Sequence, residues 1–348
     1  MTNLEKVKLA MLSMQRHSWE QGVAMQALWE LGDEENAIRL AIEAAYREHG
    51  DGRVASIGGM EAQTDPSACG EVLLWAAKKT QIEVLKQAAE QLLEFNLTKA
   101  PRSADGILYH MNYDKSFWVD SIYMLPPFLA AAGHYDEAVK QINGYWNALL
   151  IEDKGMLGHR YDDEKKEFQR DVIWATGNGW ALAGIARVID LLPESYGEAK
   201  IELTKKALQL VGGFTEYLRE DHLFHDILDD TSSHVDGAGS LLFAYGVYRG
   251  IVTGWLSLEL KELADVCVNA VNENVDIYGF VREVAGAPHF MSVGISPEAQ
   301  AFYLLAHAAK EKVEALPEDF LDPLWLDEDV FGDNDEEGFE LAGFEGIN

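Results

Sequence analysis

Apolar residues three and four positions apart recur along nearly the whole chain, and runs that alternate apolar with polar are scarce, the pattern of amphipathic helices rather than strands. It predicts helices at 4–31, 35–48, 66–80, 83–97, 117–132, 134–150, 176–192, 197–218, 236–250, 256–273 and 296–313. Short links at Leu31-Gly32-Asp33, Ala132-Gly133-His134 and Val252-Thr253-Gly254 force the helices they join to pack antiparallel. Longer links at 49–65, 99–116, 151–175, 219–235 and 274–295 carry His, Tyr, Asp, Gly and Trp, and all fall at one end of the assembly. Hairpin starts recur at roughly 50–60 residue intervals, which predicts an all-α fold of six hairpins closed into an (α/α)6 barrel rather than an open superhelix. Eleven helices are one short of twelve, and the missing one is sought in a break of the first helix near Met11 to His17.

The helical character stops at the end of the barrel, giving a domain over 1–316 and an acidic tail over 317–348. In the tail, Asp333, Asp335, Glu337 and Gly338 echo a calcium loop, but Phe344 stands where a bidentate Glu is needed, so no calcium site is expected. The chain is 348 residues long, 48 % hydrophobic and carries nine tryptophans, ample for one continuous core. Its polar start lacks the basic, apolar and small-residue segments of a signal peptide, and no run approaches ~18 apolar residues, so a soluble, cytoplasmic protein is expected. Cys69 and Cys267 each sit among apolar neighbours and suggest neither a disulfide framework nor a zinc site. A formal charge of −31 opposes nucleic acid and anionic membranes as partners, while a small anionic ligand can still bind through local donors.

Several motifs are excluded by context. Gly177-Asn178-Gly179 has no preceding strand and no third glycine, so it is not a dinucleotide-binding turn. His222, His225 and His234 lie in a loop at spacings that do not suit a metal-binding helix, and are read as hydrogen-bonded rim histidines. What remains is a set of polar and aromatic residues at or before the starts of alternate helices: Trp19, Asp65, His110, Asp120, His159, Trp174 with Thr176, Gly177 and Trp180, Asp236, and Gly286 to Ser296. In a closed barrel these starts meet at one mouth. An aromatic funnel with a few carboxylates and imidazoles suits sugar recognition. Taken alone, Asp65 before Pro66 reads as a helix cap, and Trp19, Trp174 and Trp180 suit a core as well as a site. Asp120 is flanked by Phe117-Trp118-Val119 and Ile122-Tyr123-Met124, and a carboxylate buried there is costly unless it is hydrogen-bonded or used.

At these residues the sequence resembles glycoside hydrolase family 105, the unsaturated rhamnogalacturonyl hydrolases, and more distantly family 88, the unsaturated glucuronyl hydrolases. The resemblance runs over roughly residues 15–310 and rests on Arg16 to Gly22, Trp118 to Met124, Trp174 to Trp180, Gly286 to Phe290 and Gly294 to Phe302. It implies an (α/α)6 barrel that hydrolyses Δ4,5-unsaturated uronyl oligosaccharides, a rhamnogalacturonan-derived disaccharide first among them, with no metal and no cofactor. In that chemistry an Asp protonates C4, water attacks C5, and the resulting hemiketal collapses to release the sugar chain. Matched by motif, Asp120 is the acid/base and Asp65 the second carboxylate. Trp19, His110, His159, Trp174, Thr176, Gly177 and Trp180 match substrate-binding positions. Many relatives carry Arg where this chain has Thr176; Arg160 and Arg282 are the candidate substitutes. Two other readings stand beside this one. A sugar epimerase would use His110 and His159 as a two-base pair, and a glycan-binding protein would have no catalysis at all.

Overall fold

The helix expected over 4–31 is two helices, α1 (Asn3–Ser13) and α2 (Ser18–Glu30). Their boundary is built by side chains. Arg16 donates from Nη1 to the carbonyls of Met11 and Met14, each at 2.7 Å, satisfying acceptors that the end of α1 leaves open. Glu20 accepts the His17 backbone N–H at 2.6 Å, half of a capping box at the start of α2. The computed structural model describes residues 1–14, 16–57 and 62–317. The acidic segment beyond Pro317, with its echo of a calcium loop, lies outside the described residues.

The remaining helices are α3 (Glu34–Tyr46), α4 (Gly70–Thr80), α5 (Glu83–Glu94), α6 (Ser121–Met124), α7 (Pro126–Ala131), α8 (Tyr135–Leu149), α9 (Ala175–Leu191), α10 (Gly197–Glu216), α11 (Gly237–Thr253), α12 (Lys261–Glu273) and α13 (Pro297–Glu314). An inner ring runs α2, α4, α6 with α7, α9, α11, α13, and α13 packs back against α2 to close it. Each outer helix backs an inner one: α3 on α2, α5 on α4, α8 on α7, α10 on α9, α12 on α11, and α1 on α13. The sixth hairpin is therefore completed by the N-terminus. Inner helices are enclosed on every side, and α9 is buried continuously from Ala175 to Ile189, which is why its sequence is apolar all round. Inner helices also approach closely. A Cβ on Gly184 of α9 would stand 2.4 Å from the Ile122 carbonyl oxygen, so glycine is required there.

The third inner element departs from the uninterrupted helix expected over 117–132. Ser116–Trp118 form a strand, β1, and α6 ends at Met124 before Pro126 and Pro127 begin α7. Proline removes a helical donor and restricts the residue before it, so one helix cannot run through. The link over 151–175 contains more β structure than its sequence pattern suggested. It holds β2 (Leu150–Ile151) paired to β3 (Met156–Leu157), and β4 (Arg160–Asp162) bridging antiparallel to β1 and to β5 (Glu167–Arg170). A last hairpin, β6 (Val284–Ala285) and β7 (Val293–Gly294), precedes α13. Among the described residues no helix is long and apolar enough to cross a membrane.

Candidate active site

The N-terminal ends of the inner helices and the long links surround a cavity of about 690 Å³. Of the residues selected from sequence, Trp19, Asp65, His110, Asp120, His159, Trp174 and Trp180 all line it. Thr176 and Gly177 do not. The Thr176 hydroxyl is buried and donates to Asp236 Oδ2 at 2.6 Å, which fixes the start of α9 to the cap residue of α11. Gly177 faces the Trp174 ring and Val119, where a Cβ would meet carbons at 2.6 Å; its part is to let the helix sit against the cavity wall. Arg160 lines the cavity, whereas Arg282 is exposed outside it.

Asp65 opens the 3-10 turn Asp65–Cys69 that leads into α4, and Asp120 stands between β1 and α6. Asp65, His110 and Asp120 each offer an atom within 4.8 Å of the others. Three such groups at that spacing could also ligate a cation. His110 is held from both sides: its Nδ1 lies 2.8 Å from Thr64 Oγ1 and 3.0 Å from Ser121 Oγ, and its ring stacks on Trp118 at 4.2 Å between centroids. Asp65 is buried, and burial first, then the charges of Asp120 and Glu20, push its pKa well above the usual carboxylate range. Asp120 is half-buried, not enclosed as its apolar neighbours suggested, and its sheltered Oδ1 has no hydrogen-bond partner among the described residues. The residue lines the cavity.

The walls are aromatic and acidic. Trp118 meets His159 edge-on at 5.9 Å, and His159 leans on Trp174 at 4.7 Å. Trp180 packs under Tyr123 and Phe302, each at 4.5 Å. Trp19 stacks with His17 at 4.9 Å and donates from Nε1 to Glu298 Oε2 at 2.7 Å. Burial, then the Glu20 charge, raises Glu298 well above its ordinary value, while burial raises Glu20 to about 7. Asp226 is raised to about 6 by burial and by Asp236. Sequence reasoning had left Glu298, Asp226, Arg170 and His17 unassigned, though all four line the cavity. A Glu in the first turn of an otherwise enclosed helix was the available signal for Glu298. Arg170 and Asp226 lie in links whose shape depends on pairing across the chain. Of the rim histidines, His225 accepts from Arg219 at 2.6 Å and contacts the Ser233 carbonyl at 3.0 Å.

The model of Glycosyl Hydrolase Family 88 matches residues 1–303. The chain belongs to this family. Among family relatives, it is 25 % identical over 192 residues to the unsaturated rhamnogalacturonyl hydrolase YesR of Bacillus subtilis (strain 168), an alignment covering 49 % of this chain and 53 % of that protein. It is 26 % identical over 227 residues to an unsaturated 3S-rhamnoglycuronyl hydrolase of Alteromonas sp. (strain LOR), covering 57 % and 54 %. The chain thus spans about half the length of these curated relatives. In three dimensions the family 88 chain is similar to a glycoside hydrolase of family 105 from C. acetobutylicum ATCC 824, with a TM-score of 0.76 at 19 % identity over 89 % of this chain and 98 % of that one. At that identity the likeness bears on the fold: this is the six-hairpin helical barrel the sequence predicted.

Proposed function

We propose that this protein hydrolyses Δ4,5-unsaturated uronyl oligosaccharides by hydrating the C4=C5 double bond, with Asp120 as acid and base. The observation that carries the proposal is the Asp65–Asp120 pair beside His110, both carboxyls lining one aromatic cavity, with burial and the Asp120 charge pushing the Asp65 pKa upward. The raised pKa of Asp65 favours its neutral form, which eases the approach of an anionic substrate. Asp120, entering the cycle protonated, delivers its proton to C4. Positive charge then spreads over C5 and the ring oxygen, where the carboxylate stabilises it. Water adds to C5 and returns its proton to Asp120. The hemiketal opens, and C1 releases the remaining sugar as an alcohol. Atoms balance with one water consumed. Trp19, Trp174 and Trp180 give faces for the sugar rings, and His110 and His159 give polar contacts.

Both named relatives carry "rhamno" in their names, which supports rhamnose as the sugar next to the uronate. The barrel over 1–316 is proposed to carry the activity without the acidic segment over 317–348, and to act in the cytoplasm on short lyase products. The epimerase alternative needs one of His110 and His159 to carry a proton. Burial lowers both, His159 well below its ordinary value with Arg160 and Arg170 adding to the effect, which favours the carboxylate chemistry. The test is to follow the absorbance of the conjugated enol carboxylate over a panel of lyase-generated disaccharides. It should fall with time, fastest for the rhamnose-linked one. Constant absorbance with every Δ4,5-unsaturated uronide would end the proposal.

A further inference from the structure

Strands β1, β4 and β5 set a row of side chains along the cavity wall: Trp118 is the register partner of Arg160, and Arg160 of Arg170. The Arg160 guanidinium lies over the Trp118 ring at 3.5 Å from its centroid, a strong cation–π distance. Its Nε approaches His159 Nε2 at 3.3 Å, while Arg170 Nη1 approaches the other ring nitrogen, Nδ1, at 3.1 Å. A neutral imidazole has one lone pair to offer, so it satisfies only one of the two guanidiniums.

Neither arginine has a carboxylate oxygen within 4.0 Å among the described residues, although the chain carries a net charge of −31 and other arginines, such as Arg187 and Arg249, are paired. Like charges directly opposite on neighbouring strands destabilise a sheet. Two half-buried cations held side by side, with forked donors left over, form an anion site. Both line the cavity, and Asp120 lies near enough for its charge to act on Arg160.

We propose that Arg160 and Arg170 together hold the substrate's C6 carboxylate and make this site specific for the free acid over a neutral uronyl ester. The inference rests on the proposed hydrolysis and adds to it the group that fixes the reacting ring. A carboxylate bridging the two guanidiniums neutralises their repulsion, and it anchors the ring at the carbon next to the double bond.

The test uses binding, so that it does not depend on turnover. In the full chain carrying Asp120→Asn, calorimetry compares an unsaturated uronyl disaccharide with its C6 methyl ester. The acid should bind at least about tenfold more tightly. Adding Arg160→Met or Arg170→Met should weaken the acid by about tenfold or more and leave the ester within about threefold. Arg160→Lys should restore part of the loss, since charge returns without the fork. Unchanged thermal melting confirms that the variants fold. Equal affinity for acid and ester in the Asp120→Asn protein, a preference that survives both methionine changes, equal losses for both ligands, or no binding of either would overturn the role of the pair. Absence of turnover by the parent protein would instead count against the hydrolysis, and would leave this comparison readable.

Discussion

Nε2 of His110 lies 3.7 Å from Oδ1 of Asp65, while Nδ1 of the same ring is taken by the hydroxyls of Thr64 and Ser121. The imidazole, lowered by its own burial, does not supply the positive charge that would draw the proton off Asp65. Asp65 therefore favours the protonated form in the folded state, and its folded pKa exceeds the unfolded value of about 3.9. A raised pKa gives a stabilising contribution that is complete below the unfolded value and is lost as pH rises through the folded one. Asp65→Asn, neutral at every pH, escapes that loss. Its melting temperature relative to the parent should climb with pH from the acid side towards alkaline buffer. A difference that shrinks with rising pH would show that Asp65 is stabilised as the anion.

Asp120→Asn should lower turnover by about a thousandfold or more, the range a general acid and base supplies, and leave the melting temperature near that of the parent, since no hydrogen bond of Oδ1 is lost. The absorbance assay measures it. Activity kept by Asp120→Asn and removed by Asp65→Asn would move the acid to Asp65.

The ring of hairpins was legible because helical periodicity and short links are local properties; periodicity ran α1 and α2 together, and only the need for a twelfth helix pointed to the break between them. The site was legible as far as it sits at helix starts: Trp19, Asp65, Asp120, Trp174 and Trp180 follow from the barrel's closure. The rest depends on tertiary pairing. Arg160 and Arg170 meet because β4 pairs with β5, and short strands with a register shift leave little periodicity to read. Thr176 lies outside the cavity lining for a different reason. Its position at a helix start is the same as that of a site residue, and only the Asp236 carboxylate across the ring turns its hydroxyl away.

Thr176→Val accordingly tests structure against contact. Asp236 would lose a hydroxyl donor while keeping the backbone N–H groups of Ala238 and Ala285, each at 3.2 Å. Leaving a buried carboxylate under-satisfied costs roughly 1–3 kcal/mol, seen as a lower midpoint in denaturant. KM for the preferred disaccharide should stay within about threefold, because a residue outside the cavity contributes no uniform binding. A large rise in KM with unchanged stability would return Thr176 to the substrate.

Asp65, His110 and Asp120 are close enough to share a cation, yet the proposed hydration assigns them only proton and hydrogen-bond roles. Dialysis against excess chelator should leave the rate of absorbance loss within about twofold, since no step draws on a Lewis acid. A loss that one divalent cation restores would make the trio a metal centre and replace the proton-transfer account.

At the opposite end of the barrel, Arg187 is almost fully enclosed at 2 % exposure. It donates to Glu71 Oε2 at 2.9 Å and to Glu30 Oε1 at 2.5 Å, joining α9 to α4 and α2 where α11 adds Tyr245 and Arg249. Burial alone would raise Glu30; Arg187, Arg249 and Lys312, with the Tyr245 hydroxyl, hold it down to about 2. That depressed value stabilises the fold above the unfolded Glu value of about 4.3, and the contribution is lost as pH falls through the folded one. Arg187→Met keeps much of the volume but strands two carboxylates inside the ring, and breaking a buried pair in this way costs about 3–5 kcal/mol. The denaturant midpoint should fall accordingly. Because Glu30 loses a cation that holds it ionised, the variant's stability should also depend less on pH between about 4 and 2. A midpoint within about 1 kcal/mol of the parent would show that the ring is closed by packing, with this charge cluster adding nothing.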